Sequence, residues 1–436
     1  MNDDLPVTLV VPRVRPQLAP QPAYRKIMQR LFSDIAPAQM SSGVSARRLA
    51  LYGAVVWLVT RLGLLVFTFM TSLFEAAHSA PASVYFPAVT LSPMQMLHEW
   101  NQWDAPFYQA IALHGYTPIS TPYFPLYPLL IRIGLVFTTP DNAWLVGMII
   151  SNAMTLVGCI GVVFFAYQET SDLDDSRRTL ILLLAYPLAF FLSAPYTEGL
   201  LLAFAAWSLW AARRGNWWLA ALCVFLGVLS RPTGLILYLP LIVEYLRQHN
   251  WGRWRPLADA PTALVALASG PTAFGLFSVV CWRYTGNPLI WEQADRIYDG
   301  RITIPIWKAL YDGVSFYLAR PAWSFDQFHH LTDFVPFVVM TALTIVLSLR
   351  QPVSFTVYMV ALIYLAIAGP VPVGWPTHHW VVFTSVGRYL LPSLPVWLAL
   401  SRWSRRAPGL ETLLVYGGIL IQAVCATQFL LGRWMV

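Results

Sequence analysis

The chain has 436 residues, of which 57% are hydrophobic, 14% are aromatic and only 11% are charged. Soluble domains carry about 25% charged residues, so this composition excludes an ordinary soluble protein, and the aromatic content excludes a disordered one. The net charge of +7 is not gathered in one basic face, which argues against a nucleic-acid partner. The mean hydropathy of +0.56 instead predicts an all-α polytopic membrane protein surrounded by membrane lipids.

The first 47 residues contain no apolar run long enough to span a membrane and no h-region of a secretory signal. Apolar side chains between Tyr24 and Ile35 recur at helical spacing, with polar and charged residues on the other face. This pattern predicts an amphipathic helix on the cytoplasmic membrane surface, and a helix packed as a cytoplasmic cap fits it equally well. We therefore divide the chain into a cytoplasmic tail, 1–47, and a transmembrane domain, 48–436.

Apolar segments follow one another through the rest of the chain. They lie at roughly 49–73, 123–138, 142–168, 179–194, 197–212, 217–231, 233–246, 262–284, 334–349, 352–369, 388–401 and 409–431. Arginine-rich short loops face the cytoplasm, and they share one side only if 123–138 re-enters the membrane rather than crossing it. We therefore predict eleven spans in the plasma (inner) membrane, with the N-terminus in the cytoplasm. The first extracytoplasmic loop is 74–141, with the re-entrant segment, and a long extracytoplasmic loop is 285–333.

Common motifs for metal, disulfide and nucleotide chemistry are missing from the sequence. The four cysteines lie inside apolar runs without metal-ligand spacing, which favours simple packing residues. The sequence has no Walker A loop, GxGxxG fingerprint or G-x-S-x-G elbow. The pairs His329–His330 and His378–His379 lack HExxH spacing, and adjacent residues do not share a helix face, so a metal site has little support. A membrane enzyme of this kind can take an activated group from a lipid carrier.

The first extracytoplasmic loop holds a carboxylate in an apolar setting, Asp104, which follows Trp103 and precedes Pro106 by two residues. A partly desolvated carboxylate can have a raised pKa and act as a general base. Asp before an early Pro is also typical of a helix N-cap, here for a helix at 105–113. The two roles are compatible, because an N-cap residue can still face an external cavity.

Three more ionisable residues lie beside helix breaks at the outer ends of predicted spans. Glu198 follows Pro195, Arg231 precedes Pro232, and Arg388 precedes another apolar run. Arginine binds phosphate through bidentate hydrogen bonds, so the two arginines suit a lipid phosphate. The alternatives are snorkelling of the arginines to the interface and simple ion pairing of Glu198 with Arg231 or Arg388.

Other charged residues have more than one interpretation. Arg61 lies near the middle of the first span and must face protein or water, either in an ion pair or against a ligand. Glu99 precedes Asp104 but forms no DxD motif with it. The acidic residues of loop 285–333, Asp333 among them, alternate with basic residues, a mixture typical of a solvated surface.

Taken in chain order, these motifs resemble the GPI mannosyltransferase II (PIG-V-type) family of GT-C glycosyltransferases. The matching pieces are Trp103-Asp104, Ile111-Ala-Leu-His-Gly-Tyr116, Phe124-Pro-Leu-Tyr-Pro128, Tyr196-Thr-Glu198, Arg231-Pro-Thr-Gly234 and Arg388-Tyr-Leu-Leu-Pro392, with Gly286-Asn-Pro288 as a looser match. Each piece alone is common in proteins, and the specificity lies in their order over residues 100–392. The excess of arginine over lysine favours a bacterial member of the family.

The resemblance implies a GT-C-type helix bundle with short helices in its extracytoplasmic loops. It also implies an inverting glycosyltransferase that moves a sugar, mannose in the family, from a polyprenyl-phosphate donor to a glycolipid or lipid-linked acceptor. Asp104 is then the catalytic base, and Arg231 and Arg388 bind the donor phosphate. The other substrate-binding candidates are Trp103, Tyr108, His114, Tyr116, Tyr196, Glu198 and Tyr389, with Arg61 and Glu99 as further candidates.

A transporter or flippase of lipid-linked sugars is the alternative function, supported by the number of spans, the broken helices and Arg61. Transporter folds often contain two related halves, and neither the Trp103-Asp104 nor the Tyr196-Thr-Glu198 motif recurs in the second half. A catalytically inactive scaffold is a third interpretation. No cofactor is assigned, because without a DxD motif a divalent cation (Mg²⁺ or Mn²⁺) lacks sequence support. The acceptor and the oligomeric state are left open.

Overall fold

The computed structural model describes residues 44–78, 90–249, 260–293, 305–319, 321, 324–368, 371–373, 379–381 and 383–433. The amphipathic helix predicted in the tail, the middle of loop 285–333 and His378 lie outside these residues. The helices are α1 (Ala46–His78), α2 (Pro93–His98), α3 (Ala105–His114), α4 (Leu126–Gly134), α5 (Ala143–Thr170), α6 (Leu173–Leu184), α7 (Glu198–Arg213), α8 (Trp217–Ser230), α9 (Tyr238–Gln248), α10 (Ala260–Thr285), α11 (Ile306–Leu318), α12 (Phe325–Leu347), α13 (Val353–Ile367), α14 (Val386–Tyr389), α15 (Leu394–Arg406) and α16 (Pro408–Leu430). A small antiparallel hairpin pairs β1 (Val371–Val373) with β2 (His379–Val381).

Five helical segments of the described chain are long and apolar enough to cross a membrane. They are Ala46–Ala76, Pro140–Thr170, Leu264–Thr285, Gln327–Leu347 and Pro408–Leu430. These segments support the predicted class, an all-α membrane protein. Other predicted spans correspond to shorter helices such as α7, whose 16 residues extend about 24 Å, less than the ~30 Å hydrocarbon core. The count of eleven spans therefore stays a prediction.

The segment 123–138 forms a short helix. α4 and the 3₁₀ turn that follows it make one apolar helix, Leu126–Phe137. Its length is about 18 Å, which is too short to cross a hydrocarbon core of ~30 Å. The length is compatible with the re-entrant segment predicted within loop 74–141, and its placement in a membrane stays a prediction.

The predicted span 179–194 is interrupted in the structure. α6 ends at Leu184, and irregular turns carry the chain from there to the start of α7. Pro187 has no backbone N–H to continue the helix, and carbonyl groups freed at such a break need other donors. Gln422 of α16 supplies one of them, because its side-chain amide donates to the carbonyl oxygen of Leu184 at 3.2 Å. The break after α6 is therefore stabilised by a side chain of another helix.

A charged cluster lies at the C-terminal end of α7. Arg213 donates to the two carboxylate oxygens of Glu169 at 2.9 and 3.0 Å, and its Nη1 lies 3.4 Å from Glu244. Arg247 donates to the same oxygen of Glu244 at 2.6 Å. Both arginines belong to the loops predicted to face the cytoplasm. α7 begins at Glu198, so about 24 Å of helix separates this cluster from the motif residues.

Gly234 closes the Arg231-Pro-Thr-Gly234 motif at a close crossing of two backbones. A Cβ atom at this position would overlap the carbonyl group of Gly227 in α8, and neither backbone can move aside cheaply. We expect Gly234→Ala to lower the free energy of unfolding by about 3 kcal/mol, an overpacking penalty, measured by thermal unfolding in detergent. Gly275→Ala in α10 is the control, because a Cβ there meets no atom within 4 Å. Equal unfolding temperatures for the two variants would contradict this expectation.

Candidate active site

Motif residues from four separate parts of the chain meet at one end of the bundle. Arg388 Nη1 in α14 lies 3.0 Å from Asp104 Oδ2, and Arg231 Nη1 lies 2.9 Å from Glu198 Oε1. Arg388 Nε lies 3.4 Å from the same oxygen of Glu198, which joins the two pairs. The two carboxylates and two guanidinium groups alternate, and we call these four residues the charged quartet.

Asp104 occupies the N-cap position of α3 without capping that helix. Its backbone has helical angles, and its side chain makes no hydrogen bond to the amides of the first turn. Its Oδ1 instead accepts a hydrogen bond from the hydroxyl of Tyr123 at 3.2 Å, and its Oδ2 accepts one from Arg388. The predicted position at a helix start is correct, whereas a capping role is wrong, because both carboxylate oxygens are engaged across the site.

Access to solvent distinguishes the two carboxylates of the quartet. The side chain of Asp104 is 21% exposed, whereas that of Glu198 is 5% exposed and lies between the two arginines. A general base has to come within hydrogen-bond distance of the group that it deprotonates. Asp104 is therefore the more accessible of the two carboxylates, and Glu198 lies buried against both arginines.

Arg231 is drawn inward by its partner in the quartet. Its backbone is extended between α8 and the 3₁₀ segment Pro232–Leu237, and its side chain is only 10% exposed. Glu198 therefore makes the pair with Arg231 that was one alternative for it. Snorkelling to the interface is excluded in this conformation, because the guanidinium points at a buried carboxylate.

Aromatic rings surround the two arginines. The ring of Tyr389 lies 5.0 Å from the guanidinium carbon of Arg231 and 5.4 Å from that of Arg388. Phe191 and Tyr196 lie 5.3 and 5.5 Å from the guanidinium of Arg388. Rings at these distances attract a cation through their quadrupoles and keep water away from it. The arginines are therefore held by rings as well as by carboxylates.

Tyr196 also fixes the loop that carries the candidate base. Its hydroxyl donates to the carbonyl oxygen of Gln102 at 2.9 Å and accepts the backbone N–H of Asp104 at 3.3 Å. Burial raises the pKa of Tyr196 well above its ordinary value, and the charge of Asp104 raises it further. The hydroxyl therefore keeps its proton, and this predicted substrate-binding residue acts on the backbone of the site.

The charge states of both arginines follow from their surroundings. Burial by itself lowers the pKa of a guanidinium, because it disfavours the charged form. At Arg388 the carboxylates of Asp104 and Glu198 outweigh burial and hold the pKa well above the ordinary value. Glu198 likewise outweighs burial and raises the pKa of Arg231. Both arginines are therefore charged, and the two carboxylates of the quartet balance the two guanidinium charges.

Several buried polar atoms around the quartet have no hydrogen-bond partner among the residues that the structure describes. Among them are Glu198 Oε2, the hydroxyl of Thr233 two residues after Arg231, and the hydroxyl of Tyr127 in α4. Folded proteins satisfy roughly 90% or more of such atoms, and each exception calls for a water, an ion or a functional role. The end of the bundle that carries the motifs therefore has unused hydrogen-bonding capacity.

The other predicted binding residues differ in their distance from the quartet. Tyr108 lies close to it, with its hydroxyl 3.4 Å from Thr197 Oγ1, next to Glu198 in the chain. Trp103 precedes Asp104, has a φ of 53°, and is 38% exposed as a residue. A left-handed backbone is uncommon outside glycine, and such strained residues cluster at functional sites.

Two predicted residues lie away from the charged groups. Tyr116 donates its hydroxyl to the carbonyl oxygen of Tyr123 at 2.7 Å, so it supports a neighbour of Asp104. His114 is exposed at the last residue of α3, and no hydrogen bond or ion pair of the described residues joins it to the quartet. The structure therefore places Tyr116 behind the site and gives His114 no defined part in it.

Arg61 faces the protein behind the candidate site. Its Nη1 donates to the hydroxyl of Ser193, three residues before Tyr196, and no carboxylate of the described residues lies within 4 Å of it. Of the two alternatives for Arg61, the ion pair is not seen in the described part of the chain. Arg61 also lines a mostly apolar cavity of about 320 Å³ between α1, α6 and α16, which no member of the quartet reaches.

Glu99 ties the first loop to α1. Its Oε2 accepts a hydrogen bond from the hydroxyl of Ser72 at 2.5 Å, and the indole of the neighbouring Trp100 donates to Thr68 at 3.1 Å. Burial raises the pKa of Glu99, and the hydrogen bond from Ser72 opposes that rise. These contacts make Glu99 an anchor of the loop that leads to Asp104.

The described residues hold no cluster suited to a metal ion. They contain no group of three or more His, Cys, Asp or Glu side chains in position to bind one. His330 is buried and packs edge-on against Phe316. All four cysteines are buried and form no disulfide, in keeping with a packing role.

Sequence reasoning missed two residues that shape the site. Tyr123, which hydrogen-bonds to Asp104, begins the segment that leads into α4, and a tyrosine directly before the Phe124 motif was the available signal. Asp333 was expected on a solvated surface. This expectation is wrong, because Asp333 belongs to α12 and is fully buried in the protein. The sequence feature that could have indicated burial of Asp333 is its position directly before the apolar run 334–349, where an unpaired carboxylate is costly.

Comparison of the chain with protein-family models, with curated proteins and with solved structures finds no match in any of the three. The resemblance to the GPI mannosyltransferase II family therefore rests on the motifs alone.

Proposed function

We propose that this chain is an integral-membrane inverting glycosyltransferase of the GT-C type. It transfers a sugar, mannose by resemblance, from a polyprenyl-phosphate donor to a glycolipid or lipid-linked acceptor. In this proposal the quartet faces the extracytoplasmic side of the plasma membrane, and the arginine-rich cluster around Arg213 faces the cytoplasm.

One observation carries the proposal: motifs spread over nearly three hundred residues meet in the charged quartet. The quartet combines an accessible carboxylate, Asp104, with two buried arginines that stay charged. A base for an acceptor hydroxyl and cations for a departing phosphate are what transfer from a phosphate-linked sugar requires.

The reaction assigns one role to each charged group. Asp104 takes the proton of the acceptor hydroxyl as the hydroxyl oxygen attacks the anomeric carbon from the face opposite the phosphate. The bond between that carbon and the phosphate oxygen breaks, and polyprenyl phosphate leaves with the electron pair. Arg388 and Arg231 stabilise the negative charge that develops on the phosphate, and donors fixed beforehand are an efficient form of such stabilisation.

The test is sugar transfer by the purified full-length chain in lipid nanodiscs. Radiolabelled polyprenyl-phosphate mannose, galactose, glucose and arabinose are supplied in turn with a glycolipid extract as acceptor. We expect label from at least one donor to appear in the glycolipid fraction. Failure of all four donors, together with movement of a fluorescent lipid-linked sugar across proteoliposomes, would favour the transporter instead.

Arg388→Lys examines the phosphate-binding role. Lysine keeps the charge but loses the planar fork that holds a carboxylate or phosphate at two points. We expect the KM for the donor to rise about tenfold, a loss of ~1.4 kcal/mol of binding, with a smaller effect on the KM for the acceptor. Arg213→Lys is the matched control, since Arg213 is also buried and contacts two carboxylates. A raised donor KM in both variants would contradict the assignment.

A further inference from the structure

Arg388 is carried by a helix too short to hold its own position. α14 has four residues, and the preceding Ser385 has a left-handed backbone with φ 61° and makes no side-chain cap. A single helical turn is unstable alone, because it fixes many torsions for few hydrogen bonds. The position of Arg388 therefore depends on groups outside α14.

The cap of α14 comes from another part of the chain. Asp333 in α12 accepts the backbone N–H of Gly387 at 2.7 Å through Oδ1. The same carboxylate interacts with the backbone amides of Ser385 and Val386. Amide groups at a helix N-terminus favour a negative charge. Asp333 therefore caps the first turn of α14 through Oδ1, while its Oδ2 has no hydrogen-bond partner among the described residues.

The opposite side of the same backbone is also held. The hydroxyl of Tyr186 donates to the carbonyl oxygen of Gly387 at 2.8 Å. A Cβ at position 387 would lie 2.5 Å from the carbonyl oxygen of Thr332, so the turn lies directly against α12. Residue 387 is clamped from two sides, and Arg388 leaves this clamp toward the quartet.

We propose that Asp333 is the positioning residue for Arg388. It holds the guanidinium at the spacing that lets it reach Asp104 and Glu198, and it sets the affinity for the phosphate of the donor. Asp333 itself makes no hydrogen bond or ion pair with a side chain of the quartet in the described structure, so its effect passes through Arg388. This inference rests on the proposed function for the identity of the ligand.

The experiment is a double-mutant cycle between Asp333→Asn and Arg388→Lys in the full-length chain. Asparagine keeps the size of the side chain but places an NH₂ group or a neutral oxygen against the amides of α14. We expect Asp333→Asn to raise the KM for polyprenyl-phosphate mannose about tenfold, with kcat changed less. In the Arg388→Lys background the same change adds less than about threefold, because interacting residues are not additive.

Glu244→Gln is the matched control. Glu244 is also a fully buried carboxylate with several donors, but it lies in the cluster around Arg213. We expect it to lower the unfolding temperature, to leave the KM for the donor unchanged, and to combine additively with Arg388→Lys. Additive effects of Asp333→Asn and Arg388→Lys, or a fall in the unfolding temperature with no change in KM, would overturn the positioning role.

A second measurement does not depend on transfer activity. Hydrogen exchange of a peptide covering 383–391 reports directly on the backbone of α14. We expect Asp333→Asn to speed exchange there and Glu244→Gln to leave it unchanged. If no donor is transferred by the wild type, faster exchange would support the clamp and count against the proposed ligand. Unchanged exchange would overturn the clamp itself.

Discussion

Asp104→Asn is expected to lower kcat for sugar transfer by about 10²–10⁴-fold, the contribution typical of a general base. Asparagine keeps the shape of the side chain and one acceptor oxygen, so only one of the two donors, Tyr123 or Arg388, keeps its hydrogen bond unchanged. An amide cannot take the proton of the acceptor hydroxyl. We therefore expect the KM for the donor to change little. Initial rates with saturating labelled donor, together with the unfolding temperature in detergent, measure both parts of the expectation.

Asp172→Asn is a closely matched control for that change. Asp172 also stands at the N-cap of a helix, α6, is 29% exposed, and pairs with an arginine, Arg405. It belongs to the opposite end of the bundle, so we expect full transfer activity. Equal rates for Asp104→Asn and the wild type would reject Asp104 as the base. The acceptor hydroxyl would then lose its proton without help from a protein carboxylate.

Glu198→Gln is expected to have the largest effect on stability. Glu198 is 5% exposed and neutralises Arg231, with Arg388 at its other side. Removing one member of a buried ion pair typically costs about 3–5 kcal/mol, because the remaining charge is left without compensation in a medium of low dielectric. Chemical denaturation in detergent, followed by far-UV circular dichroism, measures the change in the free energy of unfolding.

Glu411→Gln provides the comparison for an accessible pair. Glu411 is 33% exposed and contacts Arg178 at 3.0 Å. Ion pairs near the surface contribute about 0–1 kcal/mol, so we expect a small change. A similar loss of stability in the two variants would mean that burial does not determine how much the Glu198–Arg231 pair contributes to the free energy of unfolding. The quartet would then have no special role in stability.

The sequence singled out the four charged residues of the quartet but not how they pair. Order and spacing placed Asp104, Glu198, Arg231 and Arg388 near helix breaks, and those breaks are present in the structure. Local patterns could not decide which carboxylate meets which arginine. The Arg388–Asp104 pair joins residues 284 positions apart, and contacts of that range depend on how the helices pack.

The lengths of the helices in the apolar segments were also not predictable from local sequence patterns. An apolar run such as 179–194 predicted a span, but α6 ends at Leu184. Hydropathy averages over a window and does not register where a proline removes a backbone donor. The side-chain amide of Gln422, which is far along the chain, donates a hydrogen bond to the carbonyl group that the break leaves free. No sequence pattern near residue 184 indicates this partner.

The sequence by itself determined that this protein belongs in a membrane and that its unusual charges lie at helix breaks. Composition and apolar run length determine both, because the cost of polar groups in hydrocarbon does not depend on packing detail. Only the tertiary structure decided that Asp104 is the accessible carboxylate, that Glu198 is buried between two arginines, and that Asp333 clamps α14. The reason is physical: exposure and partner choice are set by neighbours from distant parts of the chain.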